Sequence, residues 1–181
     1  MSTTVIWTDW GDDDSIQLQR MWDGLDHIQV VHVTRWNSVM ERAVDLAIAN
    51  EKDTLLFCGH GSSYGLMAPK SLTEYAIHQM NSPTIQARNV IGISCYASAF
   101  AERVGLHGLF SGMFISNMNE AVDYCVRAEY EDIVLANHDI FKEINHMLHG
   151  YATMQECLST LQATNTDNMV TRFNIQGMTI L

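Results

Sequence analysis

Asp53-Thr54-Leu55-Leu56-Phe57-Cys58-Gly59-His60-Gly61 and Asn89-Val90-Ile91-Gly92-Ile93-Ser94-Cys95 are the two stretches that decide the fold. Each is a short apolar run that ends at a small or reactive residue. Runs of this length, bounded by glycine, serine or asparagine, read as strands buried on both faces. Working outward, Thr4–Trp7 reads as a first strand and His27–Val33 as a second. Ser15–Trp22 reads as a short helix with Asp12, Asp13 and Asp14 at its N-terminal end, where negative charge suits the helix dipole. Asn37-Ser38 caps a helix running to about Ala49, with Glu41 in capping-box order after Ser38 and an apolar face of Val39, Met40, Ala43, Val44, Leu46 and Ala47. Ser71–Met80 has helical character, with Glu74 three residues after Ser71 in capping-box order, Ala97–Val104 starts a helix, and Leu109–Ser116 is a further strand. Helices are also expected over Asn119–Arg127, Glu131–Leu148 and Thr153–Gln162. The alternation in Arg172–Gln176 predicts an edge or antiparallel strand.

Strands alternating with helices predict an α/β fold, a mainly parallel sheet with helices on both faces. At 181 residues the chain makes one domain, spanning 1–181, with a core that needs no staple. The net charge of −11 repels phosphate backbones and anionic lipid, so neither nucleic acid nor a membrane surface is expected as a partner. The start of the chain lacks the basic and apolar regions of a signal peptide, and no apolar stretch is long enough to span a bilayer. Cys58, Cys95, Cys125 and Cys157 form no CxxC pair and no dense framework. Free thiols of this kind are expected in a reducing cytoplasm.

In a parallel sheet, reactive groups gather beyond the carboxyl ends of the strands. His60 and Cys95 each follow an apolar run, so as parallel neighbours the two runs would deliver both residues to one edge, through a loop, a helix and a return. A free thiol titrates near ~8.5 and needs a base to react at neutral pH. Histidine is the usual partner. The residues then divide into nucleophile Cys95, general base and acid His60, and oxyanion donors from the backbone N–H groups of Gly61 and Cys95. The acidic group Asp9, Asp12, Asp13 and Asp14 lies at the same expected edge. It reads as solvated charge and helix capping, or as a pocket wall for a Lys or Arg side chain or a calcium site. Asp9 is the member expected to touch substrate, with Asp12, Ser62 and Ser94 as further contacts.

Other residues carry plainer readings. Cys58, Cys125 and Cys157 read as ordinary buried cysteines. A metal site of Cys58, His60 and Cys95 lacks a fourth ligand, so no metal and no cofactor is expected. His27, His32, His78, His107, His138, His146 and His149 read as surface or partly buried side chains. Ser62 and Ser63 lack the GxSxG elbow of a serine hydrolase.

The pairing of LLFCGHG with VIGISC resembles the caspase-like (clan CD) cysteine peptidases, a group that includes caspases, metacaspases, legumains, gingipains, clostripain, separases and the bacterial CHAT domains. The similarity covers roughly Thr54 to Ala121. CYASAFAERVGLHGLFSGMFISNMNEA is similar to the CHAT-type continuation, and GSSYGLMAP is similar in a looser sense. The resemblance implies a three-layer caspase-like domain, a Cys/His dyad, and cleavage of a protein or peptide substrate with strict preference at P1. The chain departs from the pattern in having little beyond a minimal core and no evident specificity module. Ile93 and Ser94 stand where caspases carry a glutamine, which argues against a pocket for acidic P1 residues. Two other classes fit the same residues: a catalytically silent binding or regulatory module, and another thiol hydrolase or acyltransferase. A homodimer or a partner protein is compatible with each.

Overall fold

The structure is a computed structural model that describes residues 2–164 and 166–181. Its centre is a six-stranded sheet in the order β2-β1-β3-β7-β8-β9. The strands are β1 (Thr3–Thr8), β2 (Ile28–Val33), β3 (Thr54–Cys58), β7 (Asn89–Ile93), β8 (Gly108–Phe110) and β9 (Thr179–Ile180). The first five pair in parallel, and β9 closes the edge antiparallel to β8. A second, three-stranded antiparallel sheet is built from β4 (Gly61–Ser62), β5 (Gly65–Met67) and β6 (Tyr75–His78).

Alternation along the central strands splits the core into two layers. Val5, Trp7, Leu56, Cys58, Ile91 and Ile93 face one side. There they meet α1 (Asp13–Gln17) with its following 3-10 turn, α5 (Tyr130–Leu148), α6 (Met154–Ala163) and α7 (Met169–Gln176). Ile6, Leu55, Phe57 and Val90 face the other side, against α2 (Ser38–Asn50), α3 (Ala97–Val104) and the small sheet. The α/β class and the helices on both faces are as the sequence predicts. A short α4 (Met118–Asp123) joins a third apolar cluster with Ile115, Ile133 and Val170. No helix among the described residues is long and apolar enough to cross a membrane.

Several expectations need correction. Ser71–Met80 is not a helix: Ser71 Oγ accepts from Glu74 N at 3.0 Å, but this closes a turn into β6. The capping signal is therefore real and the helix is not, because Tyr75, Ile77 and His78 pair with β5 and bury Ala76 and Ile77. The connection from β3 to β7 consequently contains the small sheet instead of a helix. Arg172–Gln176 is the body of α7, where Asn168 Oδ1 accepts from Val170 N and Thr171 N. Val170, Thr171, Asn174 and Ile175 are buried, a helical spacing that the local alternation concealed. The expected strand at Leu109–Ser116 stops at Phe110, and the helix expected at Asn119–Arg127 is the shorter α4. The cap of α2 is Asn37, not Ser38, and Val39 and Leu46 on its supposed apolar face are exposed.

Two packing details hold the strands that carry the site. Glu51 accepts from Thr4 Oγ1 at 2.7 Å, Ser2 Oγ at 2.6 Å and the backbone N–H of Lys52 and Asp53, which ties β1 to the turn before β3. Gly92 of β7 lies between Phe57 and Phe110, its neighbours in register. A Cβ there would sit 2.5 Å from Phe57 Cζ and 2.8 Å from Phe110 Cδ1. Overpacking of this kind costs about 1–3 kcal/mol. Gly92→Ala is accordingly expected to lower unfolding free energy by roughly that amount in urea titration. An unchanged midpoint would mean the two phenyl rings yield freely.

Candidate active site

The strand order places a topological switch point between β1 and β3, where successive crossovers leave to opposite faces. Open α/β sheets bind ligands in the crevice at such a point. The loop after β1 brings Asp12 to it and the loop after β3 brings His60, whose Nε2 lies 2.9 Å from Asp12 Oδ2. Asp12 is also the N-cap of α1, and its Oδ1 accepts from Ser15 N at 2.7 Å. Burial alone would raise the Asp12 pKa, but the bonds from Ser15 and His60 outweigh it and hold the carboxyl below its ordinary value. Trp10 packs its ring against the imidazole, 4.7 Å between centroids.

Register brings in Cys95. Cys58 of β3 is paired with Ile93 of β7, so His60 and Cys95 each stand two residues beyond the same pair. Tyr96 follows in the left-handed region (φ 61°, ψ 26°), and α3 begins at Ala97. A non-glycine residue held there is uncommon and often accompanies a functional turn. The Cys95 thiol lies 3.5 Å from the Phe114 carbonyl oxygen and 3.8 Å from Glu120 Oε1. Burial, reinforced by the Glu120 charge, pushes its pKa up to about 12.

His60 and Cys95 line one pocket, together with Asp14, Ser94, Ser116 and Glu120. Ile93, Leu18, Phe114 and Phe141 form its apolar walls. A polar chain crosses it. Asn117 Nδ2 donates to Asp14 Oδ2 at 2.7 Å, Asn117 Oδ1 accepts from Glu120 N at 3.0 Å, and Glu120 Oε2 accepts from Ser116 N and Oγ. The Ile115 backbone is clamped from the far side by the Asn174 amide of α7, at 2.8 and 2.9 Å. Burial raises the Asp14 pKa, with Asp12 and Asp13 adding to it and Asn117 and His60 opposing it.

Ser94 lines the pocket, with its backbone N–H and C=O both bonded to Ser111 Oγ. Gly61 presses on the Cys95 turn: a Cβ there would meet Ser94 Oγ at 2.5 Å and the Cys95 carbonyl oxygen at 3.0 Å. The Cys95 N–H precedes Tyr96, the N-cap of α3, and does not itself open the helix. Asp9 bonds His32 Nε2 at 2.8 Å and Gly11 N, and is not among the pocket residues. Ser62 bonds Tyr75 Oη and Tyr64 N in the small sheet, also outside the pocket. Cys58 and Cys157 are buried as expected, but Cys125 is exposed, next to α4 at positive φ. Among the described residues no group of three or more His, Cys, Asp and Glu is arranged for a metal.

Glu120 and Asn117 were the residues that sequence reasoning missed. The available signal was Asn117 followed three residues later by Glu120, a capping-box order, but nothing in the spacing says that this helix start faces Cys95. Comparison with protein-family models, curated proteins and solved structures gave no match.

Because the Glu120 charge raises the Cys95 pKa, removing it moves the thiol titration downward. In Glu120→Gln the pH at which Cys95 reaches half its maximal alkylation rate by iodoacetamide is expected to fall relative to wild type, read by peptide mapping. An unmoved midpoint would show that the carboxylate does not act on the thiol.

Proposed function

We propose that the chain is a cysteine endopeptidase with a caspase-like domain, using Cys95 as nucleophile and His60 as general base and acid. The observation that carries this reading is that His60 and Cys95, delivered by adjacent parallel strands, line the same pocket at the switch point. The thiol gives its proton to His60, and the thiolate attacks the scissile carbonyl carbon. The oxyanion is received by backbone N–H groups at Gly61 and Cys95. His60 then protonates the leaving amine, leaving an acyl-enzyme that water hydrolyses with His60 as base.

The charge of the pocket selects the substrate. Asp14 and Glu120 share it with Cys95, and among the described residues the ion pairs are all between histidine and aspartate. A Lys or Arg side chain at P1 supplies the absent cation. Its arrival beside Glu120 also offsets the charge that keeps Cys95 protonated, so substrate binding itself favours the thiolate. This assigns substrate contact to Asp14 and Glu120 in preference to Asp9 and Ser62.

One observation favours a second reading, a catalytically silent module: the thiol rests against the Phe114 carbonyl and Glu120 and, among the described residues, makes no hydrogen bond to His60. Peptide acyloxymethyl ketones varied at P1 separate the two. The peptidase reading expects a single adduct on Cys95, fastest with Arg or Lys at P1 and abolished in Cys95→Ala. In His60→Ala, labelling falls by on the order of 100-fold or more, the usual scale for losing a general base. No adduct with any P1 residue on folded protein would support the silent module.

A further inference from the structure

His60 uses one ring nitrogen on Asp12, and the way Asp12 is held decides which nitrogen remains. We propose that Asp12 is a positioning residue that fixes His60 in the tautomer with its proton on Nε2, leaving the Nδ1 lone pair for the Cys95 thiol. This rests on the dyad reading above and extends it to an Asp12–His60–Cys95 triad. Asp12 is thereby removed from the substrate contacts.

The two carboxylate oxygens have separate duties. Oδ1 is committed to Ser15 N at 2.7 Å, the capping bond of α1, and Oδ2 faces His60 Nε2 at 2.9 Å. An ionised carboxylate can only accept, so the contact with neutral imidazole requires Nε2–H. Nδ1 makes no hydrogen bond among the described residues. Trp10, packed against the imidazole at a tilt of 57°, restricts its rotation. When Nδ1 takes the thiol proton, the imidazolium retains Nε2–H against Asp12, and the positive charge forms beside a fixed negative one. The same logic makes a buried aspartate set the histidine tautomer in serine proteases.

The dual bonding of Asp12 makes the test directional. Asparagine caps a helix as well as aspartate does. In Asp12→Asn the single amide oxygen is required by Ser15 N, so the NH2 group is turned toward His60 Nε2. That group is a donor, and it forces the imidazole proton onto Nδ1, the nitrogen that must accept from the thiol. Asp12→Ser keeps the cap and removes the second oxygen, so neither tautomer is enforced.

The experiment combines 15N NMR of the His60 imidazole with the rate of Cys95 labelling by the P1-Arg acyloxymethyl ketone. Wild type is expected to show the Nε2–H form and to label. Asp12→Asn is expected to show the Nδ1–H form and to label on the order of 100-fold more slowly, at an unchanged thermal midpoint. Asp12→Ser is expected to show a mixture of tautomers and a smaller loss. Wild-type tautomer or wild-type labelling rate in Asp12→Asn overturns the positioning role and leaves the dyad standing. If Asp12→Asn fails to fold, wild-type labelling by Asp12→Ser overturns it instead. Absence of labelling in wild type itself overturns the dyad, and the role of Asp12 with it.

Discussion

The parallel pairing of β3 with β7 governs where His60 and Cys95 sit. Leu56 opposes Ile91, Phe57 opposes Gly92 and Cys58 opposes Ile93, and beyond that last pair the two chains leave the sheet side by side. A slip of one residue would turn each strand over, exchanging the layer under α5 for the layer under α3. It would also carry His60 away from the Asp12 side of the crevice. The pairing is held by close fit: Phe57 fills the space over Gly92, and Phe100 and Phe110 pack against Phe57 in turn. Chemistry at the edge is therefore bound to packing in the middle of the sheet.

Around that edge the charge is one-sided. Asp12 holds His60, while Asp14 and Glu120 line the pocket with Cys95 and, among the described residues, form no ion pair with a basic side chain. A carboxylate next to a buried thiol disfavours the thiolate, and burial acts in the same direction. The resting site is thus held in its neutral, less reactive form. Within the proposed function, a cationic substrate group is both the ligand that the pocket lacks and the agent that relieves this inhibition. The loop that carries Phe114 and Ser116 is set by Asn174 from α7, so the C-terminal helix bears on the site from the far side of the fold.

Much of this was legible in the sequence, for physical reasons that differ by element. The central strands were legible because they are buried on both faces and so read as unbroken apolar runs. Helix α3 was legible from its start at Ala97, and α5 from its long apolar period. The misreadings came where a local signal served a different structure. Ser71 makes the predicted bond to Glu74 N, but the next residues are claimed by β5. Arg172–Gln176 alternates locally, but the cap at Asn168 and the tertiary bonds of Asn174 make it a helix. At the site, strand ends located His60 and Cys95. Asp14 belongs to the acidic run whose place at this edge follows from its position after β1, whereas Glu120 and Asn117 depend on the path of the loop after β8 and on contacts between distant segments, which no spacing rule encodes. For the same reason the acidic run after β1 did not reveal that Asp9 turns to His32 while Asp12 turns to His60.

Under the proposed function, Cys95 and His60 act together on a peptide whose cationic side chain enters between Asp14 and Glu120. A crystal structure of the protein treated with a peptidyl acyloxymethyl ketone bearing Arg at P1 tests it most directly. The expected result is a thioether on Cys95, the guanidinium bonded to Asp14 or Glu120, and His60 still held by Asp12 with Nδ1 turned to the modified sulfur. A modification on another residue, or a Cys95 adduct with the arginine directed away from both carboxylates, would contradict it.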